Sequence, residues 1–165
     1  MPPTPPLESK ETISRFEKLL ADLAQHDVDF AVVGGVAVIL NGYPRVTVDV
    51  DILVDATTDN LRKLLDRLAG WGEGWARELT LEDFAPQEGS IRVMEDFDLD
   101  IFTRMRGRSL ADFRPRLRHL ESGGVRIPFL APEDLVSLKE GSWREKDQLD
   151  VAALKEILRR EDKAR

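Results

Sequence analysis

Apolar and polar positions along the chain switch repeatedly between helical and strand periodicity. From Ser9, a suitable cap, the residues Ile13, Phe16, Leu19, Leu20 and Leu23 recur at helical spacing and predict a helix to about His26. Phe30 to Val33 is short and wholly apolar, as a buried strand is, and Gly34-Gly35 turns it into a short helix from Val36 to Leu40, stopped by Asn41-Gly42 and Pro44. From Arg45 to Val54 the alternation is strict. It predicts one strand with Arg45, Thr47, Asp49 and Asp51 on one face and Val46, Val48, Val50, Ile52 and Val54 on the other. Thr57, Thr58 or Asp59 can cap a helix carrying Leu61, Leu64, Leu65 and Leu68, which Gly70 ends.

Trp71 to Glu95 reads as one or two strands, one of them Ser90 to Met94, and Phe97 to Phe102 as a further strand with a carboxylate face. Leu117 to Glu121 and Val125 to Phe129 flank Ser122-Gly123-Gly124 as a β-hairpin would. Pro132 suits the first turn of a helix from Glu133 to Lys139. A last helix, Glu145 to Arg160, places Leu149, Ala152, Ala153 and Ile157 near one face. Strands and helices in this order give an α+β (α/β) class, a sheet with helices packed on it, as a single domain over residues 9–165 behind a flexible proline-rich leader, residues 1–8.

A length of 165 residues suffices for one core, since a domain of this size hides about 70% of its unfolded surface. The apolar run at Phe30 to Val38 is too short to span a bilayer, and Met-Pro-Pro-Thr-Pro-Pro lacks the basic and apolar parts of a secretion signal. No membrane association is expected, and cytoplasmic residence is the default. The absence of cysteine excludes disulfides, thiolate metal sites and cysteine nucleophiles. A net charge of -7 argues against a general grip on nucleic acid. One segment runs the other way: Arg104, Arg106, Arg108, Arg114, Arg116 and Arg118, opposed only by Asp112, form either surface ion pairs or an RNA-facing patch.

Asp49 and Asp51, two apart on a strand, leave the same face with β-carbons roughly 7 Å apart. A third carboxylate from a neighbouring strand would complete a metal site, and Asp100 and Asp98 are the two candidates. Like charges gathered so closely require a cation, and hard oxygen donors suit Mg²⁺ or Mn²⁺. Gly34-Gly35 adds a place where a phosphate can approach backbone. Arg45 and Thr47, on the Asp49 face, either steer phosphate or make cross-strand contacts. Together these residues point to phosphoryl or nucleotidyl transfer, with Asp100 also able to help deprotonate the nucleophile.

The runs Val33-Gly34-Gly35-Val36-Ala37 and Arg45-Val46-Thr47-Val48-Asp49-Val50-Asp51-Ile52-Leu53, followed by Leu99-Asp100-Ile101-Phe102, resemble the signature of the polymerase-β-type nucleotidyltransferase superfamily. Within it the chain is most similar to small nucleotidyltransferases of the abortive-infection and toxin–antitoxin type, whose ending Ala131-Pro132-Glu133-Asp134-Leu135, Lys139 and Arg144-Glu145-Lys146-Asp147 also resembles. The resemblance implies a mixed central sheet with helices against one face. It implies Asp49, Asp51 and Asp100 as metal-holding catalytic residues, and Gly34, Gly35, Arg45, Thr47 and Lys139 as contacts to a nucleoside triphosphate. It also implies an RNA (tRNA), protein or small-molecule acceptor, and a toxin with a cognate antitoxin. Gly35 departs from the serine that many relatives carry there. Two rivals are a catalytically inactive fold relative that binds nucleotide, RNA or a regulatory partner, and a phosphohydrolase using the same carboxylates.

Overall fold

The computed structural model describes residues 5–164. Among the described residues six strands form one mixed sheet accompanied by six α-helices, an α+β fold. Helix α1 (Pro5–Gln25) precedes strand β1 (Phe30–Val33), which passes directly into α2 (Gly34–Leu40). Strand β2 (Asp49–Val54) and α3 (Thr58–Ala69) follow, then β3 (Ser90–Met94) and β4 (Asp98–Phe102). A short α4 (Leu110–Phe113), the hairpin β5 (Arg118–Ser122) and β6 (Val125–Phe129), α5 (Pro132–Lys139) and α6 (Glu145–Ala164) complete the order. Across the sheet the strands run β3-β4-β2-β1-β6-β5, with β2/β4 and β1/β6 parallel and the other neighbours antiparallel.

The core is one cluster. Phe16, Leu19, Leu20 and Leu23 of α1 and Leu61, Leu64 and Leu68 of α3 pack with Val50, Ile52, Leu99 and Ile101 of the central strands. Phe16, Leu19, Leu20 and Leu23, part of the helical spacing that predicted α1, are buried, although the helix begins at Pro5, ahead of Ser9; the side chain of Ile13 lies outside those described. Prolines are tolerated in a first turn, where no intrahelical N–H bond is required. The first four residues of the expected leader lie outside the described residues.

Three elements differ from expectation. The strand foreseen from Arg45 starts only at Asp49, because its neighbour β1 ends at Val33, opposite Asp51, and β4 begins opposite Asp49. Residues 45–48 therefore overhang the sheet, and Val46 and Val48, read onto the apolar face of that strand, are 61% and 63% exposed. Between Trp71 and Ser90 there is no strand; two 3-10 turns, Trp75–Glu78 and Leu81–Phe84, carry Ala76 and Phe84 into the core. In α6 the inward face is centred on Asp150 and Leu154, flanked by Val151 and Leu158, while Leu149 and Ala152 face out. A buried carboxylate breaks the polar-out pattern, so hydropathy alone places that face wrongly. The Gly123-Gly124 hairpin turn has positive φ at both residues, a geometry that glycine adopts without strain.

Candidate active site

Register builds the site. Arg92, Asp100, Asp51 and Val33 lie side by side on one rung across β3, β4, β2 and β1, and Met94, Asp98 and Asp49 occupy the next rung on the same face. Between these rungs Val93, Leu99 and Val50 point the other way and are buried. Two pairs of carboxylates thus stand on adjacent rungs of a parallel strand pair, with apolar residues anchoring the strands from behind.

Their environments are unequal. Burial first, then the charge of Asp100, a hydrogen bond with it and the charge of Asp49 push the Asp51 carboxyl up to about 7, against a downward pull from Lys139. Asp100 is buried, whereas Asp49 and Asp98 are only partly covered. Of the two candidate third carboxylates, then, the structure sets Asp100 against Asp51 and Asp98 beside Asp49.

Gly34 and Gly35 close over this face. Gly34 has φ +64°, and a β-carbon there would lie 2.0 Å from Oδ2 of Asp51, so only glycine fits. A β-carbon on Gly35 would stand 3.2 Å from both Nη2 of Arg45 and Oγ1 of Thr47. The overhanging residues 45–48 therefore bring Arg45 and Thr47 to the glycine turn.

Arg45 and Lys139, expected beside phosphate, are committed to a carboxylate. Arg45 Nη1 donates to Asp150 Oδ1 at 2.6 Å, and Lys139 Nζ lies 3.0 Å from Asp150 Oδ2 and 3.2 Å from Asp147 Oδ1. Asp150 is only 1% exposed. Helices α5 and α6 and the 45–48 segment are thereby tied at one buried anion.

Sequence reasoning missed Arg92. Its Nε and Nη2 donate to the two oxygens of Asp100 at 2.9 and 3.0 Å, Nη1 lies 3.2 Å from Asp98 and Nη2 3.6 Å from Asp49. Counting back across the turn at residues 95–97 pairs residue 92 with residue 100, so hairpin arithmetic could have found it. Five of the six arginines of the basic segment make contacts within the fold: Arg114 binds Asp29, Arg116 binds Asp134, Arg118 binds Glu161, and Arg106 and Arg108 reach Ser137, while Arg104 is exposed.

A family model described as a nucleotidyltransferase of unknown function, DUF6036, matches residues 11–160. The chain belongs to this nucleotidyltransferase family. No curated protein matches it in sequence. Three solved structures share the nucleotidyltransferase fold. One is an antigenic nucleotidyltransferase-like protein of Paracoccidioides brasiliensis, 18% identical with a TM-score of 0.56, over 89% of this chain and 76% of that one. Another is a candidate nucleotidyltransferase of Thermotoga maritima, 18% identical, TM-score 0.55, over 94% and 95%. The third is the lincosamide antibiotic adenylyltransferase LnuA with lincomycin bound, 19% identical, TM-score 0.56, over 91% and 96%. No helix among the described residues of this nucleotidyltransferase-family chain is long and apolar enough to cross a membrane.

The donor set suits a divalent cation. Hard carboxylate oxygens crowd two rungs, and burial together with the neighbouring carboxylates disfavours the charged form of Asp51. Among the described residues no three acidic or imidazole side chains are already gathered at ligating separations, and Arg92 holds both oxygens of Asp100.

Proposed function

We propose that this protein transfers a nucleoside monophosphate from a nucleoside triphosphate to an acceptor, with Asp49, Asp51 and Asp100 holding Mg²⁺ or Mn²⁺. The observation that carries the reading is the meeting of two carboxylate rungs with a glycine turn that leaves no room for a β-carbon at Asp51. Membership of a nucleotidyltransferase family supports it. Bound there, a divalent ion would activate the attacking oxygen and neutralise the leaving pyrophosphate.

The chain's own residues then have distinct tasks. Asp49 and Asp51 supply oxygen ligands from one strand face. Gly34 and Gly35 let the triphosphate come close to backbone, and Thr47 Oγ1 with Arg45 Nη2, beside Gly35, orient it. Thr47 thereby offers a hydroxyl where relatives carry serine in place of Gly35. Lys139 lowers the negative potential at Asp51 while Asp150 keeps it in place. Asp100, in contact with Asp51, takes the proton from the acceptor hydroxyl.

The acceptor belongs to one of three classes: an RNA end, a protein or a small molecule. LnuA, with its bound lincomycin, favours the small-molecule class as the first to try. Incubating the protein with Mg²⁺ and each α-labelled triphosphate, and offering tRNA, cell extract, hydroxylated antibiotics and the protein itself, would name donor and acceptor. Label transfer is expected, and Asp49→Asn or Asp51→Asn should lower it ~10²-fold or more with the circular dichroism unchanged. Undiminished transfer in either variant sinks the assignment.

A catalytically silent, nucleotide-binding member of the family is the second reading, favoured by the fork of Arg92 on Asp100. It predicts triphosphate binding by calorimetry with no labelled product for any acceptor.

A further inference from the structure

We propose that Arg92 is a built-in counter-ion that competes with divalent metal for Asp100, so that metal entry requires its guanidinium to leave that carboxylate. The inference rests on the reading of Asp49, Asp51 and Asp100 as metal ligands.

The geometry sets two cations against each other. A fork to both oxygens of Asp100 presents the guanidinium plane to the carboxylate and occupies the lone pairs that face it. The same guanidinium touches Asp98 and approaches Asp49, so it spans both rungs. A divalent ion shared by Asp51 and Asp100 would stand a few ångströms from this fixed positive charge and lose much of the attraction that brings it in. Oxygen ligation at about 2.1 Å also needs an Asp100 oxygen turned to the ion.

Arg92 is built to leave. It lies on β3, one of the two edge strands of the sheet, and is 48% exposed. Arg45 provides the contrast: it is 11% exposed and bound to a carboxylate that is 1% exposed. Both arginines neutralise the site region, but Arg92 is by far the more exposed, and the buried Asp100 carboxylate that it would leave passes to the incoming ion. Without metal it holds together three carboxylates, Asp49, Asp98 and Asp100, that would otherwise repel; with metal that task passes to the ion.

Titration with Mn²⁺ alone, followed by electron paramagnetic resonance of the free ion, tests this. Arg92→Gln should bind Mn²⁺ on the order of tenfold more tightly than the unaltered protein. Arg92→Lys, which keeps the charge but loses the fork, should fall between. A second readout uses the Nε–H resonance of Arg92 in ¹H–¹⁵N spectra, which should shift as Mg²⁺ is added, with the same half-saturation as Mg²⁺ binding itself. This readout and Arg92→Lys carry the test should Arg92→Gln not fold. Equal or weaker Mn²⁺ binding by Arg92→Gln overturns the proposal and leaves the metal reading standing, as does an Nε–H resonance unmoved while Mg²⁺ binds. Failure of every form to bind millimolar Mn²⁺ overturns both.

Discussion

At Asp51 burial and two neighbouring carboxylates act in the same direction, and the result is a group that holds its proton near neutrality. The unfolded chain releases that proton around the ordinary value of 3.8, whereas the folded protein keeps it until about 7. Between these values the native state binds the extra proton. Its stabilising effect is fully present below the lower value and is lost as pH rises through the upper one. In chelator-treated protein the thermal midpoint should therefore fall from pH 4 to pH 7 relative to that of Asp51→Asn, whose amide does not titrate. Parallel midpoint curves for the two would contradict this account. Asp49 and Asp51 were legible in the sequence because a period of two leaves no choice of face. Arg92 was not, since an arginine at an alternating edge-strand position reads as solvated until its register with β4 is known.

Helices α5 and α6 meet the 45–48 segment through Asp150, and most of what holds this corner is electrostatic. Asp150→Ala would leave Arg45 and Lys139 mostly buried and short of a partner, a change that costs about 3–5 kcal/mol when a buried pair is broken. By contrast, Lys155→Ala removes an exposed pair with Glu140 and should cost ~1 kcal/mol or less. Urea unfolding of both variants measures the difference, and similar midpoints would show that the corner is held by something else. The location of α6 in the sequence was plain from its charged and apolar spacing, but its inward face was not. The strand before Asp49 was overextended for a related reason: alternation persists through Val46 and Val48, yet a strand stops where its partners stop.

Over the whole molecule the order of strands and helices followed from hydrophobic period and glycine punctuation. Which strands become neighbours depends on crossovers that no local pattern encodes: β1 separates β2 from β6, and β4 lies parallel to β2 beyond a long connection. The arginine-rich segment looked ambiguous as sequence. In the fold Arg114, Arg116 and Arg118 fasten it to Asp29, Asp134 and Glu161, elements far apart along the chain. Those three cations are engaged, and a net charge of -7 gives the chain no overall positive charge with which to draw unrelated nucleic acid. Unrelated RNA at micromolar protein and about 50 mM salt should run unshifted in a native gel. A shift that weakens steeply with salt would point to a basic face.

The contact between Arg45 and Asp150 joins residues 105 positions apart. At a synthesis rate of about 5–20 residues per second, a ribosome takes roughly 5–20 s to travel from one to the other. For that interval the nascent chain carries β1, the glycine turn and, later, the acidic strands while Arg45 and then Lys139 have no Asp150 to bind. The corner that positions these cations is thus set late in translation, after the carboxylate strands have emerged.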